Sequence, residues 1–245
     1  MDNLNDTIKI TKKYIEQLKA DGLISIIAFE GRKIQKAKEN CKTKKIEVNV
    51  GGGLRELCEI VKNCEKCPLS KSRKNTVFGE GNPKAELMFV GEGPGFDEDR
   101  LGRPFIGRAG KLLDDIITEP RSLGLRREDV YIANIVKCHP MIDPSNPEKR
   151  GNDRKPNQEE ASACLPYLEK QIELIKPKII CALGSVSAVT LTGLEMPMGK
   201  LRGRFYDYKG IKVMPTYHPA ALLRNPGWKV DTWEDIKKIK KELAL

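Results

Sequence analysis

Four short apolar runs stand out along the chain: "ELMFVG" from residue 86, "VYIANIV" from 130, "KIICALG" from 178 and "KVMPTYH" from 212. Each is bounded by polar or turn-forming residues and reads as a strand. Between them the apolar positions take helical spacing, in "GRAGKLLDDII" after the first strand, "NQEEASACLPYLEKQIELI" before the third and "SVSAVTL" directly after it. Pro177 stops the long helix. Further upstream, Leu54, Leu57, Cys58 and Val61 share one face of a short helix that leads into "CEKC" at 64–67. Strands alternating with helices predict an α/β fold, a mostly parallel sheet of these four strands with helices on both faces. In such folds the functional loops follow the carboxyl ends of the strands. Here those loops are Gly91 to Gly95, Asn134 to His139, Gly184 to Ser187 and His218 to Asn225.

Residues 1 to about 46 pattern differently. They are Lys-rich, with Ile8, Ile10, Tyr14, Leu18 and Leu23 at loose helical intervals, and "VNVGGG" at 48–53 follows as a hinge. The chain therefore divides into a basic, helical extension over 1–53 and a main domain over 54–245, with no internal repeat.

Composition narrows the partners. With 44 Lys and Arg against 34 Asp and Glu, the net charge of +10 favours a polyanion such as DNA or RNA, the plainer reading being a Lys-rich surface that keeps the protein soluble or suits a hot habitat. No apolar stretch is long enough to span a bilayer and no secretory leader is evident, so the expected place is the cytoplasm, with no membrane partner. In that reducing setting seven cysteines point to metal or core roles in preference to disulfides.

The first strand runs into a turn bearing Gly91, Gly93 and Gly95, as many nucleotide sites do. A dinucleotide fingerprint needs its third glycine to open a helix, and a P-loop needs Lys followed by Ser or Thr. Phe96, Asp97, Glu98 and Asp99 come next instead, and three carboxylates repel phosphates. The turn is better suited to a flat, neutral group, with Glu92 and backbone amides lining a pocket and Phe105 available to stack.

Among the cysteines, Cys64 and Cys67 form a CxxC pair, Cys138 follows the second strand and Cys164 lies on the next helix. Four such thiolates can hold structural zinc or an iron-sulfur cluster, and spacing does not separate the two. Cys58 and Cys181 fall on apolar faces and read as core, and Cys41 lies in the extension. Of the two histidines, His218 stands at the end of a strand and opens "HPAALLRNP", read as a proline-bounded loop. Leu222 and Leu223 beside Arg224 make an apolar wedge next to a cation, the equipment of a protein that displaces a base from a duplex.

Taken together, "CEKCPLSKSR", "GEGPGFDEDRLGRPFIGRAGKLL", "YIANIVKC", "ALGSVSA" and "HPAALLRNP" resemble, in the same order, the motifs of the family 4 uracil-DNA glycosylases, an iron-sulfur branch of archaea and thermophilic bacteria. The resemblance runs from about Leu54 to the carboxyl terminus. It implies a three-layer α/β/α sandwich, a [4Fe-4S] cluster on Cys64, Cys67, Cys138 and Cys164, and hydrolysis of the bond between uracil and deoxyribose. Gly91 and Gly93 would let the backbone approach a flipped uracil, Phe105 would stack on it, the Asn134 amide would read its edge, and His218 would stabilise the charge left on the departing base. Glu92 would hold the pocket floor; in the family 1 enzymes the turn reads GQDPYH, so Gly93 stands where their water-activating Asp would be, which leaves Glu92, Asp97 or Glu98 to position water, or leaving-group stabilisation to serve without a general base.

The resemblance makes uracil-containing DNA, single- or double-stranded, the expected partner of a monomeric, nucleoid-associated enzyme that leaves an abasic site. The extension would reach a replication or repair protein. The segment between Cys138 and Cys164 is longer than the family's by roughly ten residues. It carries "EKR" and "DRK" but no histidine beyond His139, unlike the insert of the cross-linking relatives, so turnover is expected. The competing readings are a non-catalytic iron-sulfur module that binds damaged DNA and a nucleotide-binding enzyme.

Overall fold

A computed structural model describes residues 53–245; the amino-terminal extension, including Cys41, lies outside the described residues. The sheet has six strands: β1 (Glu80–Gly81), β2 (Leu87–Gly91), β3 (Tyr131–Asn134), β4 (Ile179–Leu183), β5 (Tyr206–Tyr208) and β6 (Ile211–Thr216). Their order is β1-β3-β2-β4-β6-β5. The four strands expected from the apolar runs form its parallel centre, and two short antiparallel strands at the edges make it six instead of four.

Side-chain alternation along the central strands builds two cores. Met88, Val90, Ala133, Ile180, Ala182 and Val213 face one side, and Leu87, Phe89, Ile132, Ile179, Cys181 and Met214 face the other. The first side is covered by α1 (Gly53–Lys62), α4 (Gln158–Ile175) and α5 (Ser185–Thr192), and the second by α3 (Arg108–Thr118) and α8 (Lys229–Glu242). Three layers result. Shorter helices α2 (Phe96–Leu101), α6 (Met198–Leu201) and α7 (Pro219–Arg224) complete the set among the described residues.

The helix ends follow their local chemistry. Asn157 caps α4 by accepting from the Glu160 amide at 2.8 Å while the Glu160 carboxylate accepts from the Asn157 amide at 2.9 Å. At the other end Lys176 takes a left-handed conformation directly before Pro177. No described helix is long and apolar enough to cross a membrane.

The connection after β2 packs on one face of the sheet and that after β4 on the other, so the carboxyl ends of β2 and β4 form a topological switch point, where α/β folds place ligands. The long segment before α4 folds back toward this edge. Its Arg154 makes a paired bond to Glu160 at 2.7 and 2.8 Å and donates to the Met141 carbonyl, and its Arg150 covers the Phe96 ring at 4.6 Å opposite Arg100.

Candidate active site and thiol pocket

The carboxyl ends of β2, β3, β4 and β6 open into a cleft of about 850 Å3, ample for a nucleotide. Glu92, Gly93, Phe105, Asn134, Gly184, His218 and Arg224 all line it.

Phe105 sits at the inner wall, held in an uncommon left-handed backbone (φ 52°). The loop is fixed on both sides of it. Arg127 donates to the Pro104 carbonyl at 2.7 Å, and the Glu98 carboxylate accepts from the Ile106 and Gly107 amides, each at 3.1 Å. Beneath it, a side chain at Gly110 would lie 1.9 Å from the Phe105 carbonyl oxygen. Gly91 answers to the same crowding, since a Cβ there would meet the Asn134 Oδ1 at 2.4 Å and the Phe105 ring at 2.5 Å.

Asn134 ends β3 and is only 1% exposed, yet its Oδ1 has no hydrogen-bond partner. A buried amide oxygen without a donor costs about 1–3 kcal/mol. Its placement beside Phe105 on the cleft wall leaves an acceptor able to take a hydrogen bond from a ligand N–H.

His218 ends the strand side of the site. Its Nδ1 accepts from the Ala220 amide at 3.1 Å and so caps α7, which leaves Nε2 as the proton-bearing nitrogen. Burial, with the charges of Arg224 and Lys155 adding to it, lowers its pKa to about 4, so the ring is neutral at physiological pH. Its ring centroid lies 5.5 Å from that of Phe105. Gly184, at φ 91°, permits this approach, because a Cβ there would come within 3.0 Å of the His218 Cβ.

The carboxylates beside the glycine turn have separate occupations. Asp97 pairs with Arg150 at 3.1 Å, Glu98 holds the Phe105 loop, and buried Asp99 accepts from the Lys74 and Asn75 amides. Glu92 has no hydrogen-bonding partner for its carboxylate among the described residues, and burial raises its pKa against the opposing pull of Lys155.

The expected DNA wedge needs correction. "PAALLR" is a helix, not a loop, and Leu222 points inward at 1% exposure, where α7 packs on α3. Leu223, at 39% exposure, and Arg224 face outward. The sequence reading also missed Lys155, whose Nζ donates to Ser185 Oγ at 3.2 Å across the cleft, and the Tyr217–Trp228 stack at 4.6 Å on its rim. Neither had a spacing signal. Pro219 did signal the helix, as a proline in the first turn behind a capping residue.

Away from the cleft, Cys64, Cys67, Cys138 and Cys164 line one pocket with Arg73, Lys137 and Tyr167. All four are free thiols, and Cys58 and Cys181 pack elsewhere in the two cores. Arg73 donates to the Cys64 carbonyl at 2.6 Å and to Cys138 Sγ at 3.4 Å. Burial pushes the Cys138 and Cys164 thiols up to about 11 and about 12, so ionising them calls for a strong cationic partner such as metal. Among the described residues no three His, Cys, Asp or Glu side chains gather at one point as a single-ion site requires; the thiols instead share the walls of the pocket.

A three-layer sheet with a base-sized site at its switch point and a four-thiol pocket on one flank defines a class, and the chain belongs to the uracil DNA glycosylase superfamily, whose family model matches residues 78–242. It is similar to the type-4 uracil-DNA glycosylase of Saccharolobus solfataricus, 48% identical over 196 residues that cover 77% of this chain and 85% of that protein. The Thermotoga maritima protein of the same name is 46% identical over 193 residues, 76% of this chain and 94% of its own. The Pyrobaculum aerophilum one is 46% identical over 191 residues, 75% of this chain and 91% of its own. Within the superfamily the chain is a member of the type-4 family.

Proposed function

We propose that the protein is a uracil-DNA glycosylase of DNA repair, which extrudes uracil from DNA into the cleft and hydrolyses its bond to deoxyribose, leaving an abasic site in an unbroken strand. The observation that carries this reading is the unpartnered Asn134 Oδ1, buried between Phe105 and the glycine turn. Uracil offers an N–H donor beside a carbonyl acceptor on that edge, which matches a carboxamide; cytosine reverses the pattern and leaves both groups opposed. Phe105 stacks on the base. The neutral His218 donates from Nε2 to the carbonyl between the ring nitrogens, where negative charge grows as the bond breaks. Glu92, raised by burial and free of partners among the described residues, holds the water that attacks the sugar. Leu223 and Arg224 on the outward face of α7, with Lys155, meet the DNA strand around the extruded nucleotide.

The thiol pocket fits a [4Fe-4S] cluster held by Cys64, Cys67, Cys138 and Cys164: all four are unpaired, face a common space and stand beside two cations. When bound, such a cluster supplies a structural cross-link between α1, the loop after β3 and α4. Residues 1–53 form an accessory arm for a replication or repair partner, and the enzyme works as a monomer on cytoplasmic, nucleoid DNA.

The deciding experiment uses an end-labelled oligonucleotide with one uracil beside a thymine control, treated with hot alkali after incubation. Strand breakage at uracil only after alkali is the expected result. A strand that stays alkali-stable overturns the proposal, and breakage without alkali overturns its monofunctional part.

A further inference from the structure

Lys137 stands between the two sites described above and belongs to neither set of expected residues. It lines the thiol pocket, its backbone amide bonds Cys164 Sγ, and its side chain is 1% exposed. Its Nζ donates to the Asn134 carbonyl at 2.8 Å and to Gln171 Oε1 at 2.6 Å. Gln171 is itself pinned, donating from Nε2 to the Phe78 carbonyl at 2.9 Å and to Tyr131 Oη at 3.3 Å. Both acceptors of the ammonium are neutral, and no carboxylate pairs with it among the described residues. A buried ammonium without a counter-charge is strongly unfavourable, and two neutral acceptors do not supply one. Cys138, its neighbour in sequence, and Cys164 line the same pocket as Lys137.

We infer that Lys137 is a positioning residue that joins the two sites: its charge balances thiolates bound to a cluster, and its bond to the Asn134 carbonyl sets the amide that reads the base. This rests on the proposed function. Lys137 would thereby couple a group held by the thiols to base recognition, with no part in the reaction itself. The loop from Asn134 to Cys138 spans a single helical turn's worth of sequence, so holding one end through Nζ and the other through Cys138 leaves the reader little freedom.

The test uses the full-length protein purified with its iron. Iron and sulfide content and uracil excision by the unaltered protein examine the underlying reading first; absence of iron would sink the charge role together with that reading. Lys137→Met, close in volume, is expected to keep iron, to shift the cluster's reduction potential to a more negative value, and to slow single-turnover excision on the order of tenfold at unchanged DNA affinity. An unchanged potential refutes the charge role, and an unchanged single-turnover rate refutes the positioning role. Should Lys137→Met fail to fold, Gln171→Glu places a carboxylate on the ammonium without removing it. The lost bond to the Phe78 carbonyl weakens both forms alike, so the readout is the difference in Tm between iron-loaded and iron-free protein. That difference is expected to shrink, because the iron-free form gains its missing counter-charge. A difference equal to that of the unaltered protein overturns the inference.

Discussion

Neutrality of His218 follows from burial and from the charges of Arg224 and Lys155, and the bond from the Ala220 amide fixes which nitrogen carries the proton; both have measurable consequences. Replacing it by alanine removes the donor we propose for the departing base and is expected to lower the excision rate about 10²–10³-fold, as loss of one preorganised donor does elsewhere, with DNA affinity nearly unchanged. Single-turnover rates and a gel-shift titration check this. The same change uncaps α7 and lowers stability by about 1 kcal/mol. His218→Asn separates the two effects: its amide oxygen accepts from the Ala220 amide and restores Tm, while excision stays slow. The lowered pKa of about 4 gives a second expectation. Because the unfolded chain binds a proton at His218 near pH 6.5 and the folded one does not, the site's share of stability is complete above about 6.5 and is lost as pH falls toward about 4. Thermal melts across that window should show the decline in the unaltered protein and a weaker one in His218→Asn. An ionisation near 6.5 in the excision rate that vanishes in His218→Asn would contradict the assignment.

At the scale of elements, the Phe105 loop depends on Glu98, whose carboxylate takes two backbone amides. Glu98→Ala leaves both amides without that partner, at about 1.5–3 kcal/mol for each charged bond. The left-handed Phe105 is then free to relax. A fall in kcat/KM on uracil DNA at unchanged iron content is the expected outcome, and a rate equal to that of the unaltered protein would show that the Arg127 bond and the packing at Gly110 hold the loop without Glu98. None of this was legible in the sequence. The carboxylates at 97–99 could be counted as repelling phosphate, but which of them turns back onto a loop eight residues away depends on the path of α2. The strand ends were legible because short apolar runs followed by Gly, Asn or His mark where a parallel sheet presents its side chains. The two edge strands were not: Glu80–Gly81 has only two residues, and Tyr206–Tyr208 encloses an aspartate, so neither shows an apolar run. "HPAALLRNP" misled through its two prolines. The first begins a helix and only the second follows its end, which turns Leu222 into the core.

Across the whole molecule, the four pocket cysteines come from three separated stretches of chain, before the sheet, after β3 and within α4. Binding energy at such a site becomes folding energy for every stretch it joins. With the cluster we propose in the pocket, stripping iron with a chelator is therefore expected to lower Tm by several degrees or more, and Cys164→Ser to do the same, with scanning calorimetry as the check. Cys181→Ser serves as the contrast, since this cysteine is buried in the opposite core and bears on packing alone. The sequence singled out these four from seven by position: two in a CxxC, one past a strand end, one on the facing helix. What it could not reveal is the ammonium set among them, because Lys137 looks like any lysine in a basic chain until β3 and α4 close around it.

The aromatic wall and the imidazole of the cleft are held by the protein's own contacts, through Glu98, Gly110, Gly184 and the Ala220 amide. A receptor already shaped for a single flat ring does not loosen when that ring is severed from its sugar. On the proposed function, the liberated base leaves against the same contacts that captured it.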